Sequence, residues 1–173
     1  MMFPVASMLV SGYHVLPQLL IMVVVCLLTG WLPTVAGAAA LVLSLLIIMT
    51  LGTAMALLFS AANVFFRDVS NVAAILTHFV RFGVPMIYPF SLVASRFGGH
   101  TELYLANPLA EAVLLIQRAF WVGTTKNPAL TVSEHMPDHL FTRSLIALGV
   151  SLVILGLGQL VFSRLENKIP ERL

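Results

Sequence analysis

Charge is what this sequence has least of. Of 173 residues only 9% are charged, nine Lys and Arg against seven Asp and Glu, where a soluble domain carries roughly 25%. The first charged side chain is Arg67, so residues 1–66 hold none. So few charges cannot cover a water-soluble globule of this size, and no basic face exists for a nucleic acid to bind. Cys26 is the single cysteine, which excludes a disulfide framework. Lysine occurs only at Lys126 and Lys168. No phosphate loop of the G-x-x-x-x-G-K-[ST] type is present, nor an H-E-x-x-H pair, a nucleophile elbow or a pair of acids suited to acid–base work. The chain therefore cannot hydrolyse ATP itself, no cofactor is expected, and uphill transport would need a partner or an ion gradient.

What fills the sequence instead is apolar: 60% hydrophobic residues and a mean hydropathy of +1.01. A bilayer crossing takes about 20 such residues. Four stretches qualify, at about 8–30, 35–62, 70–92 and 144–163, and predict an all-α, polytopic integral membrane protein. Pro17 is tolerated inside the first stretch, and Trp31–Pro33 form a tight turn with an interfacial aromatic before the second. Residues 93–141 form a long connection. The loop at Arg67 and the tail with Arg164, Lys168 and Arg172 are placed in the cytoplasm by their positive charge, with residues 93–141 outside.

Small residues recur every four positions in the second stretch, at Ala36, Ala40 and Ser44 and again at Gly52, Ala56 and Ser60. Such spacing suits close helix packing within the subunit or between subunits. In the third stretch Asn71, His78, Arg81, Pro85 and Tyr88 follow spacings of three, four and seven, which would align them on one helix face. Arg81 near mid-span would cost about 2.5–3.5 kcal/mol unless it met a cavity, a partner or an anionic ligand. No Asp or Glu lies inside any of the four stretches to pair with it. The residues leave two readings open: Arg81 lines a translocation path, or Gly83 and Pro85 break the helix and Arg81 snorkels to the interface.

Within the long connection, Asn107-Pro108 is an N-cap followed by proline at the first helical position. The apolar run to Val122, closed by Gly123, predicts a re-entrant or interfacial helix too short to span, with Glu111 and Arg118 on one face and Phe120 and Trp121 suited to the interface. Its plainest role would be a lid of no mechanistic consequence. Glu134, His135, Asp138 and His139 have the composition of a metal site, but Pro137 between the histidines opposes a regular i, i+4 pair. No metal is expected there.

Several of these runs resemble a known family, the ABC-2-type permeases that export polysaccharides such as O-antigen, teichoic acid and cell-wall galactan. Asn63-Val64-Phe65-Phe66-Arg67-Asp68-Val69 is similar to the family's N-x-x-x-R-D-V segment. Pro85-Met86-Ile87-Tyr88-Pro89 is similar to its S-P-V-x-Y-P run, although Gly83-Val84 stands where the family often has Ser. Asn107-Pro108 with Arg118 resembles its external gate helix, residues 162–168 its cytoplasmic tail, and Phe3-Pro4 the start of a mid-protein helix. The resemblance implies a permease that forms a homodimer, pairs with a separate ATP-binding subunit and moves a lipid-linked polysaccharide across the inner (cytoplasmic) membrane. It fits the substrate path read from Arg81, His78, Asn71 and Tyr88, and it puts Arg67 and Asp68 at the cytoplasmic end of that path and Tyr88 near the external gate. Asn107, Pro108, Glu111, Arg118 and Trp121 then belong to the external gate helix. It also implies that an N-terminal region precedes Met1 in the family, so that the chain is expected to be N-terminally truncated. Two other readings remain: a membrane-bound enzyme of lipid-linked glycan assembly, and a non-transporting scaffold or remnant.

Overall fold

The computed structural model describes residues 2–66, 68–125 and 127–166. They form eight α-helices and one turn of 3-10 helix, with no strand among the described residues. The chain is an all-α, multi-pass membrane protein. Three helices are long and apolar enough to cross a bilayer: α1 (Met2–Leu28), α2 (Val35–Phe65) and α8 (Leu140–Glu166). The third apolar stretch differs from expectation. It is helical only as α3 (Val69–Phe82), apolar but shorter than the others, and the chain then bends through residues 83–89 into α4 (Phe90–Phe97). Gly83 caps α3, and prolines at 85 and 89 lack the N–H that would continue it. The proposed face shared by Asn71, His78, Arg81, Pro85 and Tyr88 is thus helical only for its first three members.

A short turn at Gly98–His100 leads into α5 (Thr101–Leu105). Next come α6 (Pro108–Thr124) and α7 (Pro128–His135). The α6 start follows the local chemistry: Asn107 Oδ1 accepts from the Leu109 N–H at 3.1 Å, and Pro108 occupies the first turn. At 17 residues, α6 is about 26 Å long, short of the roughly 30 Å hydrocarbon core.

The core lies where α2, α6 and α8 meet. Ala40 and Ile47 of α2 join Leu114, Leu115, Ala119 and Phe120 of α6 and Leu140 and Ala147 of α8. Farther along, Leu57 and Ala61 pack on Phe162. Early residues of α2 thus meet early residues of α8, and late meet late, so the two long helices run parallel. Both seams step by three and four: Gly37, Ala40, Ser44, Ile47, Leu51, Ala54, Leu57 and Ala61 on α2, and Leu140, Ser144, Ala147 and Ser151, then Gly158 and Phe162, on α8. That is the spacing by which two helices keep one face in contact. Of the small residues singled out in the sequence, Ala40 and Ser44 are in this seam, whereas Ala36 and Ser60 are exposed. A Cβ on Gly158 would lie 3.1 Å from the Ala54 carbonyl oxygen, so glycine sets how close α8 approaches α2.

Candidate functional site: the bend after α3 and helix α6

Polar contacts converge on residues 83–89, held between α3, α5 and α6. Tyr88 is at their centre. Its hydroxyl donates to the Phe82 carbonyl at 2.8 Å and sits 3.1 Å from the Tyr104 hydroxyl of α5. Burial first, then the neighbouring Tyr88 hydroxyl, pushes the Tyr104 phenol well above its ordinary value, so it stays protonated at physiological pH. On the other side, Gln117 Nε2 of α6 donates to the carbonyl of the buried Pro85 at 2.6 Å. The bend is therefore anchored from two helices, although proline and glycine leave it few backbone hydrogen bonds of its own.

Two cavities flank Tyr88. One, of about 450 Å³, is lined by Phe82, Gly83, Tyr88, Leu92, Arg96 and Tyr104, among others. The second, of about 270 Å³, is bounded by Met86, Pro89, Phe90, Gln117, Trp121 and His135 as well as Tyr88. Its aromatic wall is ordered: the Trp121 and His135 rings stack with centroids 5.4 Å apart and planes within 3°.

The α6 helix itself is fixed at several points. Trp31, in the turn between α1 and α2, donates its indole N–H to the Ala119 carbonyl at 3.1 Å and stacks on Phe120 at 5.5 Å. The tryptophan expected at the lipid interface thus packs on α6. Arg118 lies over the Phe141 ring of α8, 4.9 Å from its centroid, a cation–π contact. Glu111 is wholly buried and accepts from Ser144 Oγ of α8 at 3.3 Å. Glu111 and Arg118 do share a face, and that face is turned to α8. The short α5 is tied to the same helix start by Arg143, whose guanidinium binds both carboxylate oxygens of Glu102 at 2.6 and 2.7 Å. That hydrogen-bonded pairing holds the Glu102 carboxyl below its usual range.

The remaining expected site residues are elsewhere. Asn71 and His78 are exposed on α3, and Arg81 is exposed in its last turn rather than at mid-span. The break at Gly83 puts it there. None of these three is among the residues lining the two cavities at Tyr88. Asp68 precedes α3 and accepts from Asn71 Nδ2 at 2.7 Å. Arg67 lies outside the described residues, as do Lys126 and the tail from 167 onward. Glu134 and Asp138 are exposed, His135 is taken up by the Trp121 stack, and no three metal-type ligands converge among the described residues. Tyr104, Arg96, Gln117 and the Glu102–Arg143 pair were not singled out by sequence. Only Gln117 carried a signal, as a lone neutral polar residue in the apolar run of α6.

Comparison with known proteins bears on this arrangement. The chain is similar to an O-antigen export permease. The relative, the O-antigen export system permease protein RfbA of Klebsiella pneumoniae, is 24% identical over 170 residues. The match takes in 97% of this chain and 58% of the relative, so the chain spans a little over half of that protein's length. No family model and no solved structure matches the chain. The aligned region includes the bend, the cavities and the whole of α6.

Proposed function

We propose that the chain is the membrane-spanning permease part of an ATP-driven exporter that moves a lipid-linked polysaccharide across the cytoplasmic membrane. The observation that carries this reading is the near end-to-end similarity to an O-antigen export permease. The order of the matching motifs along the chain agrees with it. In this reading two copies form the path, and a separate ATP-binding subunit, absent from this chain's own chemistry, supplies the energy. Such a cargo carries an anionic diphosphate. Arg81 offers a cation to it, and no acidic residue between Val69 and Thr101 competes for that charge. Asn71 and His78 extend the same helix face with hydrogen-bonding groups. Arg67 and Asp68 stand at the cytoplasmic mouth. Outside, Tyr88 and the α6 helix from Asn107 to Trp121 form the gate, with the aromatic cavity beside Trp121 suited to apolar faces of sugar rings.

The test is export in cells whose own O-antigen permease has been deleted, with this chain co-expressed with its ATP-binding subunit. Surface glycan should return, and R81A should lower it at least several-fold while R81K keeps part of it. The R81A chain should still insert in the membrane at normal levels. No surface glycan from the parent chain would overturn the export reading. Full export from a correctly inserted R81A chain would overturn the role of Arg81 alone.

A further inference from the structure

Glu111 is buried without the partner a carboxylate needs. It is 0% exposed at the junction of α6 and α8. Oε2 has one long hydrogen bond, 3.3 Å from Ser144 Oγ, and Oε1 has no hydrogen-bond partner. The nearest cation, Arg143, is engaged elsewhere. Its two terminal nitrogens bind Glu102, and its Nε donates to the Asp138 carbonyl. From α2 nothing ionisable faces Glu111, since Val35–Phe65 contains no titratable side chain. On α6 itself, Arg118 is two turns away over Phe141. On α7, His135 stacks on Trp121, at the far end of α6. The first-turn position lets the helix dipole favour an anion, but it supplies no hydrogen bond to Oε1. An ionised carboxylate left this way in a packed seam is costly, whereas a neutral acid is tolerated.

We propose that Glu111 is a proton-operated latch. As the neutral acid it lets α6 sit against α8, and loss of its proton to water drives α6 out of that seat. Burial is the main cause that raises this carboxyl from its ordinary value of 4.5 to about 7; the Ser144 hydrogen bond and the Arg143 charge act the other way, and the Glu102 charge on α5 adds to the rise. The sign follows from that direction. The seated form holds its proton more tightly than the released form, so seating is firmest at acid pH. It weakens as pH rises above the ordinary value and levels off above the seated value. Across that window the seating constant falls on the order of a hundredfold.

Amide hydrogen exchange of the full chain in lipid nanodiscs reads this constant directly, even when the released form is rare. After correction for intrinsic exchange, protection of α6 should fall on the order of a hundredfold between pH 5 and pH 8, while protection of α2 stays constant. E111Q, neutral and of the same shape, should keep α6 protected at both pH values. Protection of α6 that does not change with pH in the parent chain overturns the latch. So does an equal fall in E111Q, or an E111Q chain whose α6 is unprotected at pH 5. The readout is helix seating and not export, so its failure is separate from any failure of the permease reading.

Discussion

Helices α3 and α6 are both short, apolar and too short to cross a bilayer alone, yet they have opposite surroundings. Seven side chains of α6 are buried, among them Leu114, Leu115 and Phe120. α3 buries none, and Val72, Ile75, Phe79 and Phe82 are exposed along it. The contrast teaches what holds a helix in this fold. Lipid is as apolar as protein, so apolar composition does not by itself draw two helices together. What α6 has and α3 lacks is close fit. Gly37 of α2 admits the Ala119 carbonyl, Gly123 admits the Trp31 ring, and polar anchors fasten both ends.

The largest break in that contrast should come from one substitution made in both regions. Ile47 of α2 is 0% exposed in the core that α2 and α8 share with α6, and Ile75 of α3 is 56% exposed. I47A should cost about 2–3 kcal/mol, mostly for the cavity it leaves, since transfer to lipid contributes little. I75A should change stability by no more than about 0.5 kcal/mol. Reversible unfolding in mixed micelles measures both, and equal losses would contradict the contrast.

Glycine sharpens it at a smaller scale. A methyl on Gly123 would overlap the Trp31 indole, which is held by its hydrogen bond to Ala119 and its stack on Phe120. A methyl on Gly83 would meet only carbonyl oxygens at 3.6–3.7 Å, at an ordinary negative φ of −81°. G123A should therefore cost about 1–2 kcal/mol from overpacking, and G83A within about 0.5 kcal/mol. The same unfolding assay compares them, with Trp31 fluorescence reporting the displaced ring in G123A.

How much of this could be read in advance depends on whether the cause was local. The start of α6 was legible because the Asn107 cap and Pro108 act on their own neighbours. The long apolar helices were legible because length and hydropathy decide them. The end of α3 was signalled by Gly83, Pro85 and Pro89, but the apolar residues around them carried the expected span through to Leu92. Arg81 accordingly sits in the last turn of α3, ahead of the bend. The repeat of four in α2 only partly follows the buried seam, since it drifts off the face that alternating threes and fours keep in contact; Ala36 and Ser60 stay exposed on this single chain. Tyr88 with Tyr104, and Glu102 with Arg143, are joined only by tertiary folding across 16 and 41 residues. No spacing rule reaches that far.

Helix α6 is enclosed by α2 and α8, while α3 and α1 turn apolar faces outward. Labelling of the unmodified chain in bilayers with a lipid-phase carbene reagent, mapped by mass spectrometry, tests this arrangement most directly. Strong labelling is expected at Leu76 and Phe79 of α3, which lie off the Asn71–His78 face, and at Leu20 of α1, and little at Leu114 and Leu115 of α6. Labelling of Leu114 and Leu115 as strong as that of Leu76 and Phe79 would overturn the enclosure of α6.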